Sequence, residues 1–134
     1  MKKRTIVWLD ERDALVIHER LLVQHGGLKG VRDLASLQAA LARPKQHHSY
    51  GERVDAVELA ALYVEGIVRG HPFADGNKRT GFVLGILFLE LNGYRFTATE
   101  EDAAQAVIAL AAGKVGREEF AESLRANSKR VRSV

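Results

Sequence analysis

The chain has 134 residues, no cysteine and a formal net charge of +3. This length suits one domain that buries a core without disulfides, and a chain without cysteine fits a reducing cytosol. The longest apolar stretch, 81–89, is too short to span a bilayer, and no signal-peptide pattern follows the basic first residues, so we expect a cytoplasmic protein without membrane contact.

The positive charge is concentrated at the two ends of the chain. Residues 2–4 supply three positive charges and residues 125–132 supply four; without these seven, residues 5–124 carry a net charge of −4. A mildly acidic body argues against nucleic-acid binding, and a weak polyanion contact is the alternative. We expect one domain over 1–134, with a core of about 5–125 and a solvated basic tail over 126–134.

The first part of the chain predicts an extended segment and two helices. Residues 5–9 are β-prone and predict a strand or an extended lead-in. Asp10 is placed to cap a helix that stops at Gly26-Gly27. Asp33 is placed to cap a second, shorter helix through Ala42, which Pro44 limits. The connection over 44–53 is polar and irregular.

The rest of the chain predicts four more helices. Asp55 and Glu58 form a capping box for a helix to Gly70, and a buried helix follows residues 71–80 to Leu91, with Asn92-Gly93 as a left-handed stop. The segment 94–97 alternates weakly and indicates an extended piece. Two further helices are predicted, and their bounds are Thr99 to Ala112 and Arg117 to about Asn127. The fold class is therefore all-α, a bundle of about six helices with small β pieces.

Residues 71–80 are the candidate site. They read His-Pro-Phe-Ala-Asp-Gly-Asn-Lys-Arg-Thr and stand before a helix that enters the core. Gly76 permits positive φ, so the N–H groups at 76–78 can form an anion nest at a helix N-terminus. Lys78 and Arg79 add positive charge, which makes a polyphosphate the expected ligand. Asp75 is a hard oxygen ligand that suits Mg²⁺ beside bound phosphates.

The other polar groups of this segment have distinct expected roles. His71 is a candidate general base at the C-terminal edge of the preceding helix. Phe73 is expected to anchor the segment in the core. Asn77 can bond either a phosphate or the loop backbone. Each residue alone has an ordinary explanation as a turn, a solvated histidine or an exposed helix start, and only their combination indicates a site.

These residues resemble the Fic-fold proteins, whose signature begins His-Pro-Phe and continues through an acidic residue into Gly-Asn-Gly-Arg. Two departures, Lys78 in place of a second glycine and Phe82 in place of a further arginine, resemble the death-on-curing (Doc) branch, the toxins of type II toxin–antitoxin pairs. The resemblance covers roughly residues 5–125. It also includes a set of positions outside the motif: His18, Gly26-Gly27, Gly30, Arg32-Asp33, 42–44 and 91–94.

The resemblance implies transfer of the γ-phosphoryl group of ATP to a threonine of elongation factor Tu, which halts translation. By resemblance, His71 is the base, Asp75 holds Mg²⁺, and Gly76, Asn77, Lys78 and Arg79 hold the phosphates. Typical Fic members transfer AMP instead, and this is the alternative within enzymes. A non-catalytic module that binds a nucleotide for regulation is the alternative outside them.

The resemblance also implies a flap and a partner. It assigns 44–53 to a flap that aligns the target, with the candidates Lys45, His47, His48 and Tyr50. The inhibitory motif of self-restrained Fic proteins fits 97–101 only halfway, because Asp102 stands where glycine or asparagine is expected. We therefore expect restraint by a cognate antitoxin that covers the groove beside the first helices. For His18 and His25 we expect structural roles.

Overall fold

We describe a computed structural model, which covers residues 5–50 and 54–131. Six helices and two short strands follow one another in the order α1 (Glu11–His25), α2 (Leu34–Ser49), α3 (Ala56–Gly70), α4 (Asn77–Leu91), β1 (Tyr94–Phe96), α5 (Glu100–Ala111), α6 (Arg117–Ala126) and β2 (Ser128–Arg130). The predicted all-α bundle of about six helices is confirmed. None of the described helices is both long enough and apolar enough to cross a membrane.

Side-chain caps begin four of the helices at the predicted residues. Each of these caps accepts the backbone N–H three residues further on; they are Asp10, Asp33, Asp55 and Thr99. At Asp55 only half of the predicted capping box forms, because Glu58 lies 3.7 Å from Arg125 of α6. Arg125 also donates to both oxygens of Asp55, at 2.9 and 3.1 Å. The bond to Asp55 raises the pKa of Arg125, and the pair ties α6 to the start of α3.

Helix α2 is longer than predicted. It continues through Pro44 to Ser49, so the predicted stop is wrong, and so is the irregular connection over residues 44–49. Residues 51–53 of that connection lie outside the described residues. Proline removes one helical hydrogen bond and disfavours a helix interior. Here Pro44 is buried, and the ring of His48 in the following turn packs edge-on against Trp8 at 5.5 Å. Tertiary packing therefore offsets a local signal that normally ends a helix.

Helix α3 is the centre of the core. It packs against α2, α4, α5 and α6, and ten of its residues are buried. The hydroxyl group of Tyr63 accepts the N–H of Leu9 at 3.1 Å and lies 3.4 Å from the carbonyl of Leu9. Burial raises the pKa of Tyr63 to about 12. The lead-in at 5–9 thus forms no strand and is held by side-chain hydrogen bonds.

Helix α4 packs closely along α3 because it carries glycines on the shared face. A Cβ at Gly85 would lie 2.4 Å from Cγ2 of Val64, and one at Gly81 would lie 2.8 Å from Cγ2 of Val68. These pairs run in opposite directions along the two helices, so α3 and α4 form an antiparallel hairpin. Its short connection, residues 71–76, is the candidate site.

The two strands form a small antiparallel sheet near the other end of α4. Tyr94 pairs with Arg130, and Phe96 pairs with Ser128. The extended piece at 94–97 is confirmed, and residues 128–130 of the predicted basic tail pair with it as β2. Residues 132–134 of that tail lie outside the described residues. The left-handed stop predicted after α4 holds for Gly93, which has φ 91, but not for Asn92, which has φ −109. The side chain of Asn92 bonds the backbone of Val7 instead.

Candidate active site

His71 ends α3 in an unusual backbone conformation. It is the C-cap of the helix with φ 49 and ψ 52, the only non-glycine residue with positive φ in the described ranges. Its N–H still bonds the carbonyl of Ile67 at 3.1 Å. The imidazole is exposed at the edge of the hairpin. The predicted base therefore lies at the surface, where a target can reach it.

Asn77 and Phe73 close the connection into a rigid loop. Oδ1 of Asn77 accepts the N–H of Phe73, and Nδ2 donates to the carbonyl of Phe73, both at 3.0 Å. Phe73, the expected anchor, is buried in the core. Asn77 was expected to bond either a phosphate or the loop backbone, and its side chain bonds the loop backbone. The same Nδ2 lies 3.5 Å from Nδ1 of His71, so the amide also borders the imidazole.

Helix α1 supports the loop from the other side. The ring of His18 stacks on that of Phe73, with centroids 3.8 Å apart and an angle of 9° between the planes. Nε2 of His18 lies 2.8 Å from the carbonyl oxygen of Asp75, so it is the ring nitrogen that carries the proton. His18 is buried, and its predicted structural role takes a specific form: it holds the main chain at Asp75.

The carboxylate of Asp75 is oriented by two main-chain donors. Leu28 donates to Oδ2 at 3.2 Å, and Gly76 donates to Oδ1 at 2.9 Å. Gly27 lies so close that a Cβ there would be 2.9 Å from Oδ2. The side chain is nevertheless exposed and retains lone pairs for a cation. No cluster of three or more metal-binding side chains occurs in residues 5–50 and 54–131. Asp75 still fits Mg²⁺ as a carboxylate ligand, because Mg²⁺ beside phosphates usually takes only one or two carboxylates from the protein.

The N-terminus of α4 is the segment in which we predict an anion nest. Gly76 has φ 75 and ψ 20, and no side chain caps the helix there. The first-turn N–H groups therefore stand without a side-chain acceptor, at the positive end of the helix dipole. Lys78 and Arg79 are exposed, and neither forms an ion pair with a described residue. The chain thus offers main-chain donors and two cations to an anion.

The loop between α1 and α2 was not predicted as part of the site. Val31 and Phe73 form an antiparallel bridge, and Ala74 donates to the carbonyl of Gly30 at 3.0 Å. Arg32 donates through its main chain to Pro72 and through its guanidinium to His71. Loop residues carry no periodic pattern, so the sequence signals here were only the helix stop at Gly26-Gly27, the cap at Asp33 and the resemblance.

The candidate flap residues lie away from the loop. Helix α2 begins beside the site, where Oγ of Ser36 donates to the carbonyl of Gly70 at 3.0 Å. Since helices rise 1.5 Å per residue, His48 lies about 18 Å further along the axis. Lys45, His47 and His48 belong to α2, and Tyr50 caps it. A flap contact with a target stays a prediction for these four residues.

A cavity of about 730 Å³ lies at the other end of α4. It is bordered by the lead-in, the start of α3 and the small sheet, and no residue of 71–80 lines it. The site is therefore defined by its polar groups and not by this cavity.

The sequence model of one family, described as the Fic/DOC family, matches residues 8–89. The matched span includes the whole loop, all of α3 and α4 as far as residue 89. The chain belongs to the Fic/DOC family. Two relatives show the same relationship. Protein kinase doc of Escherichia phage P1 is 30% identical over 117 residues, which cover 87% of this chain and 92% of that protein. Toxin Doc of Mycolicibacterium smegmatis (strain ATCC 700084 / mc(2)155) is 38% identical over 95 residues, which cover 68% of each protein.

The two departures noted in the motif, Lys78 and Phe82, both lie on α4. Lys78 stands at the second residue of α4, beside the uncapped N–H groups. A glycine there would leave the main chain open to a phosphate, whereas a lysine side chain adds a charge and bulk at the same place. The Fic/DOC resemblance drawn from residues 71–80 is thereby confirmed.

Proposed function

We propose that this chain is a Doc-type toxin, a transferase that moves the γ-phosphoryl group of ATP to a serine or threonine hydroxyl of a translation factor. Two relatives named as a kinase and a toxin support the coarse assignment. We further propose elongation factor Tu as the target and a cognate antitoxin as the partner that neutralises the toxin. Phosphorylation of this target would block protein synthesis.

One arrangement carries the proposal. His71 stands at the end of α3, the uncapped start of α4 follows six residues later, and Asp75 lies between them with its carboxylate oriented. A nucleotide phosphate chain that meets the N-terminus of α4 would lie beside both side chains. Phosphoryl transfer depends mainly on positioning and charge stabilisation, and this loop supplies both.

The transfer needs one proton acceptor and one leaving group. The target hydroxyl oxygen forms a bond to the γ-phosphorus as the bond from that phosphorus to the bridging oxygen breaks, and ADP leaves with the electron pair. The hydroxyl proton passes to the imidazole of His71. Main-chain N–H groups of Asn77 and Lys78, with the side chains of Lys78 and Arg79, stabilise the charge on the phosphates. The N–H of Gly76 is engaged by Asp75.

Asp75 is the residue that would hold Mg²⁺ together with the nucleotide. When bound, this ion neutralises phosphate charge and polarises the transferred group. The protein's own contribution is to aim the carboxylate, which the N–H groups of Leu28 and Gly76 do. His18 adds to this by fixing the main chain of Asp75.

The proposal is tested with ATP labelled separately at the α and γ positions. Purified protein and elongation factor Tu are incubated with each, and the target is isolated. We expect γ label on the target, located on a threonine by mass spectrometry. α label on the target would overturn phosphoryl transfer in favour of AMP transfer.

A substitution of His71 separates catalysis from binding. His71→Ala should lower the rate of labelling by a factor on the order of 10² or more, because a positioned base typically contributes this much to the rate. Nucleotide binding should persist, because the N-terminus of α4 is unchanged. If growth arrest on expression survives this substitution, the chain acts as a nucleotide-binding module and the transferase proposal fails.

A further inference from the structure

Three hydrogen bonds, one on the N-terminal side and two on the C-terminal side, hold the backbone of His71. On the N-terminal side, its N–H bonds the carbonyl of Ile67 at 3.1 Å and continues α3. On the C-terminal side, its carbonyl oxygen accepts two N–H groups of Arg32, from Nε at 3.1 Å and from Nη2 at 2.6 Å. With both peptide groups held, the direction of the bond from Cα to Cβ is set.

The held conformation is one that histidine does not adopt freely. At φ 49 and ψ 52 the residue lies in the left-handed region, where Cβ crowds the carbonyl oxygen. Such a conformation persists only where the surroundings enforce it. Rotation about ψ of His71 would swing its carbonyl away from Arg32, so the guanidinium opposes relaxation of the backbone.

Arg32 is itself held in place by the main chain. Its N–H donates to the carbonyl of Pro72 at 2.7 Å, and the N–H of Asp33 donates to the same oxygen at 3.0 Å. Arg32 thus binds two successive carbonyl groups after α3. The guanidinium also stands at the C-terminal, negative end of the α3 dipole, where a cation is stabilised. Two of its N–H groups converge on one oxygen, a geometry that a lysine ammonium does not reproduce.

We propose that Arg32 is a positioning residue that aims the imidazole of His71 by chelating the His71 carbonyl. The inference rests on the proposed function, in which His71 is the base. Arg32 acts through the backbone, because its Nε and Nη2 both donate to the carbonyl of His71. Its loss should lower the rate of transfer and leave nucleotide affinity intact.

The test compares Arg32→Ala and Arg32→Lys with Arg20→Ala, in which an exposed arginine of α1 is removed. Steady-state transfer from ATP gives kcat and KM. In Arg32→Ala we expect kcat to fall by on the order of 10- to 100-fold, as for a small displacement of a catalytic group. The KM for ATP should stay within about twofold, since the donors that hold phosphate lie on α4. Arg32→Lys should recover only part of kcat, and Arg20→Ala should match the unsubstituted protein.

A structural readout makes the inference independent of activity. The backbone ¹³C chemical shifts of His71 depend on φ and ψ, and they should change in Arg32→Ala while the ring signals of His18 stay in place. If the unsubstituted protein transfers no label, the proposed function fails, and these shifts still decide the role of Arg32.

Three results would overturn the inference. Unchanged shifts of His71 would show that Arg32 does not hold this backbone. A raised KM with constant kcat would place Arg32 on the nucleotide. Full activity in Arg32→Lys would show that charge suffices and that chelation plays no part. Should Arg32→Ala fail to fold, Arg32→Lys and Arg32→Gln, each offering the carbonyl a single donor group, carry the same comparison.

Discussion

Asp75 is held at three points by residues from the first third of the chain or from its own loop. His18 bonds its carbonyl, Leu28 donates to one carboxylate oxygen, and Gly76 donates to the other. A carboxylate that is aimed before the cation arrives loses less conformational freedom on binding. The close approach of the α1–α2 loop that makes this possible depends on Gly27.

Gly27→Ala should weaken binding of ATP in the presence of Mg²⁺ by about tenfold, which corresponds to about 1.4 kcal/mol. The added Cβ would lie 2.9 Å from Oδ2 of Asp75 and displace the carboxylate. The measurement is a titration with and without Mg²⁺. Gly30→Ala is the matched control, because Gly30 also has positive φ, 104, but a Cβ there meets nothing within 4 Å. Equal losses in both variants would assign the effect to backbone strain alone.

Because of Tyr63, the free energy of unfolding should fall at alkaline pH. Burial raises its pKa to about 12 in the folded protein, against a usual value of 10.0. The unfolded chain therefore loses the tyrosine proton first, and the free energy of unfolding should fall as pH rises from about 10 to about 12, by up to roughly 2–3 kcal/mol. Tyr63→Phe should flatten this decline in urea titrations. Tyr50→Phe, which removes an exposed hydroxyl, should leave the decline unchanged.

At the scale of elements, the site is the turn of one helical hairpin. Helices α3 and α4 approach closely along a face where α4 carries Gly81 and Gly85, and this places the end of one helix beside the start of the other. The negative end of the α3 dipole and the positive end of the α4 dipole meet at the turn. The C-terminus of α3 is bonded by the guanidinium of Arg32, and the N-terminus of α4 has no side-chain cap. Packing far from the motif thus sets its geometry.

Gly85→Ala should lower the free energy of unfolding by roughly 1–3 kcal/mol, the usual cost of overpacking a core. The new Cβ would stand 2.4 Å from Cγ2 of Val64. Chemical denaturation measures the loss. In the double variant Gly85→Ala with Val64→Ala, the loss should be smaller than the sum of the two single losses. Gly116→Ala serves as the control, since a Cβ there meets nothing within 4 Å; strict additivity in the double variant would refute the clash.

At the scale of the whole molecule, the helices share one central element. Helix α3 contacts α2, α4, α5 and α6, while the lead-in reaches it through Tyr63. The sheet closes the end of α4 that lies away from the motif, where Asn92 bonds Val7. A chain built around one buried helix is expected to unfold as a unit.

The single tryptophan provides a test of this cooperativity. Trp8 lies in the lead-in and packs against Phe88 of α4 with ring centroids 6.0 Å apart, so its fluorescence reports the N-terminal contact. Urea unfolding followed by Trp8 fluorescence and by far-ultraviolet circular dichroism should give the same midpoint. Two separate midpoints would mean that the chain folds in more than one unit, contrary to the predicted single domain.

Most of the helices could be predicted from local sequence signals. Caps such as Asp10 and Thr99 act within three residues, and the apolar spacing of α3 and α4 repeats within a turn, so both can be read along the chain. The order of groups from His71 to Arg79 likewise indicated the family and the candidate chemistry. Phe73 as an anchor follows from one apolar ring among polar neighbours.

Only the tertiary structure decided how distant segments act on these groups. By local rules Pro44 should end a helix, yet α2 continues through it because Pro44 is buried. The basic residues near the C-terminal end, which we predicted as a tail, pair as β2 with Tyr94–Phe96. Arg32 and His18 reach the loop across 39 and 57 positions of sequence. Contacts of this kind depend on where the hydrophobic core places each backbone, and one sequence carries no periodic signal for them.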